Sequence, residues 1–504
     1  MTVTLPATIE EAHAEIGKQA AEIERLRHEN ALLKKHLFGR RSERRPAPEE
    51  SSDQLCLFET PGEADEAEAE REVAVPAHKR KKGGRRPLPK ELPREEVVHD
   101  VSEEEKICSC GCEKHRMGED VTEQIEAVPA KLYIKRHVRP KYVCRKCRSG
   151  VAQAPPPPGP IAKCLAGPTF LATMIVGKYG DHIPLCRMED ILRREGVDIS
   201  RSNMSEWAMG VAKLCRLLAG RMFVRILDSD VIASDDTAIR VQQPGGGTKR
   251  SYLWVYLGDE KAPFTVFDFR EGRSRAGPNA VLANYSGYLQ ADAYTGYDDL
   301  YTLTGGDGRP RILEVGCWAH ARRRFVEAAE AGDKRARFAV DAIGQLYGVE
   351  REATKLYKEA GLAELHAGRL ELRRERSAPL LDKLYTWMDE RLDVLPQSPL
   401  GKAIGYAQNN RAALCRFAGD GRLAIDNNAA ERALRPVAVG RKNWLFAGSA
   451  RGGQAAAVFF SLIASARRHG LNPNEYLEDI FVRLPEQNIQ KLDELLPDAW
   501  RPAA

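Results

Sequence analysis

The stretch SYLWVYLGDEKAPFTVFDF, residues 251–269, is rich in aromatic and β-branched side chains on both sides of a Gly-Asp-Glu turn. Such residues favour the surface of a sheet, and turn residues between two such runs are typical of a hairpin. The stretch therefore predicts two strands, at 251–257 and 263–269. The run Val231-Ile-Ala233 predicts a third strand just before them, so that the three form an antiparallel meander.

Shorter predicted elements follow the meander, and a long helical region separates them from the end of the chain. They are a helix at 278–285 with proline in its first turn, strands at 288–290 and 312–315, helices through 319–418, a weak strand at 444–446 and a last helix at 455–468. The fold class predicted from this order is a multidomain α+β protein.

The run DNNAAER, residues 426–432, packs acidic, amide and basic side chains together without one aliphatic residue larger than alanine. If the run is helical, Asn427, Asn428 and Glu431 lie on one face, beside a stripe of arginines. That arrangement suits a DNA-facing acidic site. It suits equally the solvated start of a helix with Asp426 as N-cap, and the run alone does not decide between the two.

Two further acids stand where predicted strands end. Asp235 follows the first strand and Asp292 follows the fourth, and with Glu431 they make a set of three carboxylates. The chemistry that needs such a set is phosphoryl transfer with two bound Mg²⁺ or Mn²⁺ ions, which activate the attacking oxygen and stabilise the leaving one. The order of strands, with acids on the first and fourth, suits a ribonuclease-H-like α/β domain.

The first 45 residues carry a heptad pattern that predicts a short two-stranded coiled coil. The seam positions are Ile9, Ile16, Ile23, Asn30 and Leu37, alternating with Ala12, Gln19, Leu26 and Leu33. The single polar residue, Asn30, is of the kind that fixes register in parallel dimers. The pattern therefore favours a homodimer or higher oligomer, with a lone amphipathic helix docked on the protein's own body as the alternative.

Residues 46–90 combine proline, small residues and segregated charge, which predicts a disordered linker. Acid is concentrated in 63–72, and the tract HKRKKGGRRPLPK at 78–90 is basic. Such a tract suits contact with nucleic-acid phosphates and suits equally a solvated charge run.

Five of the eleven cysteines cluster between residues 108 and 147. Two cysteine groups separated by a β-like stretch are typical of a zinc ribbon, in which four thiolates close around a structural Zn²⁺. Cys144 and Cys147 form a well-spaced pair. The first group is irregular and offers Cys108, Cys110, Cys112 and His115; the predicted ligands are Cys108 and Cys112, with Cys110 as a further candidate. The ribbon is expected over 91–154.

Residues 155–225 are expected to be a helical region, either a helix-turn-helix for DNA or a helical connector with Trp207 and Leu214 in a core. Asn203 and Glu206 resemble a capping box. Residues 471–504 are expected to form a C-terminal tail. No apolar run approaches about 18 residues, and the start lacks the order of a secretion signal. A cytoplasmic protein without a membrane partner is therefore expected. The net charge of +5 argues only weakly for nucleic acid.

Seven ordered blocks resemble transposases of the bacterial insertion sequence 66 family, of the Asp-Asp-Glu type. They are LFGRRSER (37–44), RHVRPKYVCRKC (136–147), KYGDHIPLCR (178–187), SDDTAIRV (234–241), LQADAYTGYDDL (289–300), GCWAHARRRF (316–325) and IDNNAAERALRPVAVGRKNWLFAGS (425–449). The resemblance implies that Asp235, Asp292 and Glu431 bind the catalytic metals. It also implies a ribonuclease-H-like domain in two parts, 226–318 and 421–470, separated by a helical insertion at 319–420.

The chain departs from the family pattern at two places. It has Asp235-Asp236-Thr237 where the family commonly has Asp-Glu-Thr, and Cys-x-Cys-x-Cys where the family has a Cys-x-x-Cys knuckle. The first departure leaves Asp235 and Asp236 as alternative ligands, of which Asp235 is predicted. The second leaves the zinc ligand set open.

The resemblance implies a reaction on transposon-end and target DNA, with other element-encoded proteins as further candidate partners in a bacterial, nucleoid-associated setting. Water attacks the phosphodiester at each end, and the freed 3′-hydroxyl then attacks the target in line. Five residues are predicted to hold DNA: Arg432, Arg435, Arg441, Lys442 and Trp444. His320 is a candidate helper. The alternatives are a structure-specific nuclease on the same fold and a non-catalytic DNA-binding accessory or repressor.

Overall fold

The computed structural model describes Leu26 and residues 132–136, 141–143, 151–153, 159–161 and 164–502. Leu26 is helical. The rest of the predicted coiled coil, the linker at 46–90 and the five clustered cysteines lie outside the described residues. The predictions made for them stay predictions.

A two-stranded antiparallel sheet lies within the expected zinc ribbon. It pairs β1, Lys141–Val143, with β2, Val151–Gln153, so that Lys141 lies opposite Gln153. In the sequence these strands precede and follow Cys144 and Cys147, whose role as zinc ligands stays a prediction.

The central sheet has five strands in the order β5-β4-β3-β6-β7. The strands are β3 Val231–Gln242, β4 Thr248–Leu257, β5 Thr265–Arg270, β6 Gly287–Gln290 and β7 Ile312–Val315. The antiparallel β3-β4-β5 meander that the sequence predicts is confirmed. The later strands add in parallel, β6 beside β3 and β7 beside β6.

Strand β3 is much longer than its apolar run predicts. It extends for 12 residues because β4 pairs with it from Ala233 to Gln242. Three glycines with positive φ, Gly245 to Gly247, close the hairpin at its far end. The prediction that Asp235 follows the first strand is therefore wrong: Asp235 lies within the strand, and the ladder continues through its polar residues.

Three helices precede the sheet: α1 Pro168–Tyr179, α2 Leu185–Arg194 and α3 Arg201–Ile226. Gly196, with φ of 80°, makes the predicted turn between α2 and α3. The predicted capping box at Asn203 is wrong, because Ser200 is the last extended residue and its hydroxyl accepts the Asn203 N–H. Helix α3 lines the main core through Met204, Val211, Leu218 and Met222. The role of α2 and α3 as a helix-turn-helix for DNA stays a prediction.

Short helices connect the strands of the sheet. They are α4 Ala276–Leu282 and α5 Asp298–Tyr301. Helix α4 ends before Tyr285, whose buried hydroxyl donates to the carbonyls of Asp230 and Tyr288. The predicted helix at 278–285 is thus shifted towards the N-terminus, because Tyr285 instead secures the start of β6.

The helical region predicted at 319–418 is confirmed and has its own apolar core. Its helices are α6 Trp318–Glu330, α7 Ala336–Leu356, α8 Leu362–Leu372, α9 Ala378–Asp389, α10 Pro399–Asn409 and α11 Arg411–Cys415. A π-helical turn, Arg373–Ser377, separates α8 from α9. Fully buried Phe325, Ile343, Leu346 and Leu384 lie in this second core.

Three α-helices follow the helical region, α12 Asn428–Trp444, α13 Ala450–Arg468 and α14 Pro473–Arg483, and two 3-10 helices, Leu484–Glu486 and Ile489–Leu495, come after them. The predicted weak strand at 444–446 is wrong, since Trp444 ends α12 and only a single bridge, Val241 to Ala447, reaches the sheet. The segment described as a tail is folded: Tyr476, Ile480 and Phe481 are buried in the main core. In the described part of the chain no helix is long and apolar enough to cross a membrane.

Candidate active site

The register of the sheet brings Asp235 and Asp292 together. Strands β3 and β6 are parallel, and Ala233 lies opposite Gln290. Asp235 and Asp292 each follow this last paired position by two residues, and the charge of Asp292 acts on Asp235. Strands β3 and β6, the first and fourth strands of this sheet along the chain, are neighbours inside it. Two acids that are far apart in the sequence therefore lie close together.

The electrostatics of Asp235 connect all three predicted acids. Burial, and after it the nearby charges of Asp292, Asp236 and Glu431, together raise the pKa of Asp235 to about 7, against a hydrogen bond from the Asp236 N–H that lowers it. The Asp236 N–H lies 2.7 Å from Asp235 Oδ1. A carboxylate in such surroundings is stabilised by a cation, and Asp235 has no ion-pair partner among the residues described.

Asp236, the alternative ligand, is already paired. Its side chain is only 6% exposed and accepts hydrogen bonds from Arg273 Nε and Nη2 at 2.8 to 3.0 Å. The Arg273 guanidinium also lies 4.0 Å from the centre of the Tyr294 ring. Because neighbouring residues of a strand point to opposite faces, Asp235 and Asp236 occupy different environments, and the paired one is Asp236.

Helix α12 carries Glu431 in its first turn, and buried Asn427 fixes the start of that helix. Asn427 Nδ2 donates to the carbonyl of Ser234 at 2.8 Å, and its backbone N–H donates to Cys317 Sγ at 3.2 Å. One amide therefore joins the Glu431 helix to strand β3 next to Asp235. Asn427 Oδ1 is buried and has no protein partner among the described residues.

Asp426 is placed differently from its predicted role as N-cap. The cap residue of α12 is Asn427, while Asp426 accepts the N–H and the side-chain amide of Asn428 at 3.1 and 2.7 Å. The Tyr347 hydroxyl, from the helical insertion, donates to the same carboxylate at 2.8 Å. Asn427 is buried whereas Glu431 is half-buried, so the two do not present one common exposed face.

His320 lies next to Glu431. It stands in the first turn of α6, and its Nε2 is 3.7 Å from Glu431 Oε1. Its Nδ1 is buried without a hydrogen-bond partner among the described residues. Burial raises the pKa of the neighbouring Cys317 thiol to about 11, so this thiol is uncharged at neutral pH and accepts the Asn427 N–H as a packed neighbour.

The five predicted DNA-binding residues fall into two groups. Arg432, Arg435 and Lys442 are exposed on α12. Arg441 Nη1 instead donates to Thr237 Oγ1 and to the Ala238 carbonyl, which ties α12 to β3. Trp444 is half-buried against the main core, with Lys178 Nζ 5.9 Å from its ring centre.

The donor type of the site fits a hard divalent cation. Mg²⁺ and Mn²⁺ prefer carboxylate oxygens, and such an ion would offset the burial and the repulsion between acids that raise the pKa of Asp235. Across the described residues, however, no three His, Cys, Asp or Glu side chains are arranged so that they could hold a metal ion. The fit is thus one of donor type and charge.

Two of these contacts leave no local signal in the sequence. The Arg273–Asp236 pair joins residues 37 positions apart, and the Asn427–Ser234 hydrogen bond joins residues 193 positions apart. The surrounding strands and helices can be predicted locally, but the pairing of these side chains depends on tertiary packing.

Comparisons with known proteins cover most of the chain. Residues 163–455 match the family described as Transposase IS66 family. Further matches are the Transposase C of IS166 homeodomain at 25–97, the zinc-finger binding domain of transposase IS66 at 105–148 and the IS66 C-terminal element at 461–497.

Two relatives from Sinorhizobium fredii (strain NBRC 101917 / NGR234) are similar along most of their length. The chain is 34% identical to the uncharacterized protein y4jD over 427 residues, which is 82% of this chain and 81% of that protein. It is 32% identical to the uncharacterized protein y4hP over 499 residues, which is 94% of this chain and 88% of that protein.

Proposed function

The chain belongs to the IS66 family of transposases, and from that premise we propose that it cuts DNA at the ends of its insertion sequence and joins them to target DNA by two-metal phosphoryl transfer. The observation that carries the proposal is the acidic cluster at Asp235, where burial and the charges of Asp292 and Glu431 together raise the pKa of one carboxyl group. Acids with pKa values perturbed in this way are found most often at functional sites.

Asp235, Asp292 and Glu431 would hold the ions, Mg²⁺ or Mn²⁺, which when bound supply activation of the attacking oxygen and stabilisation of the leaving one. The sheet order β5-β4-β3-β6-β7, with antiparallel β3, β4 and β5 and parallel β6 and β7, supports a ribonuclease-H-like domain. In this assignment the helical insertion separates Asp292 from Glu431.

Other residues of the chain position the three acids. Arg273 neutralises Asp236 and so leaves one free carboxylate, Asp235, on this part of β3. Asn427 holds the start of α12 against β3. His320, 3.7 Å from Glu431, acts as a positioning residue that orients this carboxylate.

The exposed cations of α12 give the site a surface for DNA. Arg432 and Arg435 follow Glu431 by one and four residues, and Lys442 lies two turns further on the same helix. Exposed arginine and lysine side chains hold backbone phosphates and set the register of a duplex without reading its sequence. They would present the scissile phosphate to the acids.

The N-terminal third of the chain is assigned to DNA capture and assembly. The zinc-finger match at 105–148 covers Cys108, Cys112, Cys144 and Cys147, which we assign as the ligands of a structural Zn²⁺, with Cys110 as the alternative in the first group. The coiled coil at 1–45 would pair two copies of the chain, so that two DNA ends are held together. The protein would act in the cytoplasm on nucleoid DNA, with other element-encoded proteins as further partners.

The deciding assay incubates the purified protein with Mg²⁺, a target plasmid and a duplex that carries the terminal sequence flanking its own gene. Joined products support transposition; cleavage alone favours a structure-specific nuclease, and binding alone favours an accessory or repressor. In Asp235→Asn, Asp292→Asn and Glu431→Gln we expect cleavage and joining to be lost while DNA binding persists. Retained cleavage in any of these variants removes that residue from the catalytic set.

A further inference from the structure

The exposed face of α12 carries cations and apolar side chains in one line. Arg432, Arg435, Val439 and Lys442 recur at intervals of three or four residues and are all exposed, so they form a single stripe along the helix. Val439 is 46% exposed in the middle of that stripe. The stripe begins beside Glu431 and runs to the end of the helix.

Two large apolar side chains stand at the end of the stripe. Leu445 is 64% exposed and Phe446 is 41% exposed. Leu445 has φ of 62° and ψ of −48°, and the Phe446 N–H donates to the Trp444 carbonyl at 2.7 Å. These values describe a classic γ-turn, which is rare and strained, and a branched side chain such as leucine makes the positive φ still less favourable.

The flanking backbone holds this turn in place on both sides. The Leu445 N–H donates to the Arg441 carbonyl at 3.0 Å, which ends α12. Directly after the turn, the Ala447 N–H donates to the Arg240 carbonyl at 2.8 Å and the Gln242 N–H donates to the Ala447 carbonyl at 2.9 Å. A loop free of these anchors would relax. Strain that the surroundings enforce, together with exposed apolar surface, is characteristic of functional sites.

We propose that Leu445 and Phe446 form an apolar wedge that enters a DNA duplex and unstacks one base step. The proposal rests on the proposed DNA chemistry. Duplex DNA is the occupant favoured by charge, because the apolar pair ends a stripe of exposed arginine and lysine, whereas the cores of protein interfaces are depleted of charged side chains. Wedges of apolar side chains beside cations are the means by which proteins kink a duplex.

Trp444 is the less suitable residue for this role. It packs against the main core and beside Lys178, so its ring is already used within the protein. Leu445 and Phe446, the next two residues, are the ones that the γ-turn directs outwards.

For a duplex that lies along α12, the length of the helix sets the distance of the wedge from the cut. From Glu431 to Leu445 α12 rises by about 21 Å, at about 1.5 Å for each residue. Strand β3, which runs alongside from Asp235 to Val241, spans about 20 Å, at about 3.3 Å for each residue. At about 3.4 Å for each base step, the wedge meets the duplex about six base pairs from the phosphate at the acidic cluster.

The test is permanganate footprinting, which oxidises unstacked thymines, on the terminal duplex bound to the full chain. The Asp292→Asn variant serves as the parent, because it should bind the DNA without cutting it. We expect one reactive thymine position about six base pairs from the cleavage site, on either side of it. In this background Leu445→Ala and Phe446→Ala should return that position to the reactivity of free DNA. Leu356→Ala is the matched control, since Leu356 is 63% exposed in the insertion.

The Leu445→Gly variant distinguishes the loss of the wedge from the loss of the fold. Glycine takes a positive φ without a Cβ clash, so this variant should unfold at the same or a higher temperature than the parent while the reactive thymine is lost. In an otherwise wild-type chain, cleavage by Leu445→Gly should slow by about tenfold or more, because the duplex would then have to unstack without the wedge.

Two results would overturn the wedge and leave the transposase function intact. One is cleavage by the wild type with no unstacked position. The other is that the Leu445 and Phe446 variants keep the reactive thymine but change the mass of the protein–DNA complex. This result would identify the apolar pair as a contact between protein chains. If the wild type neither binds nor cuts the duplex, the proposed function fails and the wedge fails with it.

Discussion

Asp235 and Asp236 are adjacent carboxylates with opposite surroundings. Burial raises the pKa of both side chains. For Asp236 the Arg273 guanidinium opposes the rise, whereas Asp235 has no such pair and its pKa is raised to about 7 by burial first and by neighbouring acids second. The charged form of Asp235 is disfavoured in the fold at neutral pH, whereas the pair with Arg273 offsets part of that cost for Asp236. The pair therefore separates a structural role from a functional one.

Replacing each of these acids by its amide should give opposite results. Asp236→Asn removes the charge-assisted hydrogen bonds with Arg273 and should lower the free energy of unfolding by about 1 to 3 kcal/mol, with DNA cleavage largely kept. Asp235→Asn removes a repelled charge and should leave the melting temperature equal or higher while cleavage is lost. Thermal unfolding and the end-cleavage assay measure both. An inactive Asp236→Asn variant with unchanged stability would make Asp236 the metal ligand.

At this scale, residues could be predicted from the sequence where a local pattern marks them. Asp292 follows an apolar run, and Glu431 stands in a segment too polar for a core helix. Nothing local marks Asn427 as the buried link to Ser234, because the partner is contributed by a strand 193 positions away. The preference for Asp235 over Asp236 likewise needs Arg273, which only tertiary structure brings near.

Arg373 connects the helical insertion to the start of α12. Its side chain is fully buried and pairs with both carboxylate oxygens of Glu350 at 2.7 and 2.8 Å. It also donates to the carbonyls of Phe417, Asp420 and Leu423 at 2.7 to 2.8 Å. Those carbonyls belong to the segment that leads into Asn427 and α12. An element outside the sheet thus fixes the backbone from which Glu431 is presented.

Removing the Arg373 charge should be costly. Arg373→Met removes both hydrogen bonds to Glu350, which keeps a 3.6 Å contact with Arg369, and takes a charged donor away from three carbonyls. The free energy of unfolding should therefore fall by about 3 to 5 kcal/mol. Arg376→Met is the matched control, because Arg376 and Glu352 form a pair with 45% and 43% exposed side chains. Exposed pairs contribute about 1 kcal/mol or less. Denaturant unfolding compares the two; equal losses would show that the insertion does not depend on the Arg373 network.

Element types could be predicted well from periodicity, whereas their ends could not. The meander and the helical insertion follow from apolar patterns that survive in the structure. The length of β3 does not, because pairing with β4 extends it through the polar residues after Ala233. The strand expected at Trp444 fails for a related reason: α12 continues to that residue and a γ-turn follows it.

Two apolar cores account for the described body of the molecule. One includes the sheet, α1 to α3 and the C-terminal helices, and the other lies within the insertion. The segment from 471 onwards belongs to the first core through Tyr476 and Phe481. Amphipathic spacing alone could not show whether this segment is part of the core or a tail docked on the surface. Because both cores are formed by residues after 164, changes near the N-terminus are expected to leave this body folded.

The last prediction concerns the pairing of two chains through the heptads at 1–45. Ile23→Lys puts a charge into the predicted seam and should separate a dimer into monomers, because a buried unpaired lysine destabilises a short two-stranded coil. Light scattering measures the mass. Glu24→Lys is the control, since it adds a lysine at a solvent-facing position next to the seam. The monomer should still cut single DNA ends, because the acidic cluster lies in the folded body, and should fail to join two ends to one target. A dimer that survives Ile23→Lys would show that the heptads do not pair the two chains. That result would favour the alternative, a lone amphipathic helix docked on the protein's own body.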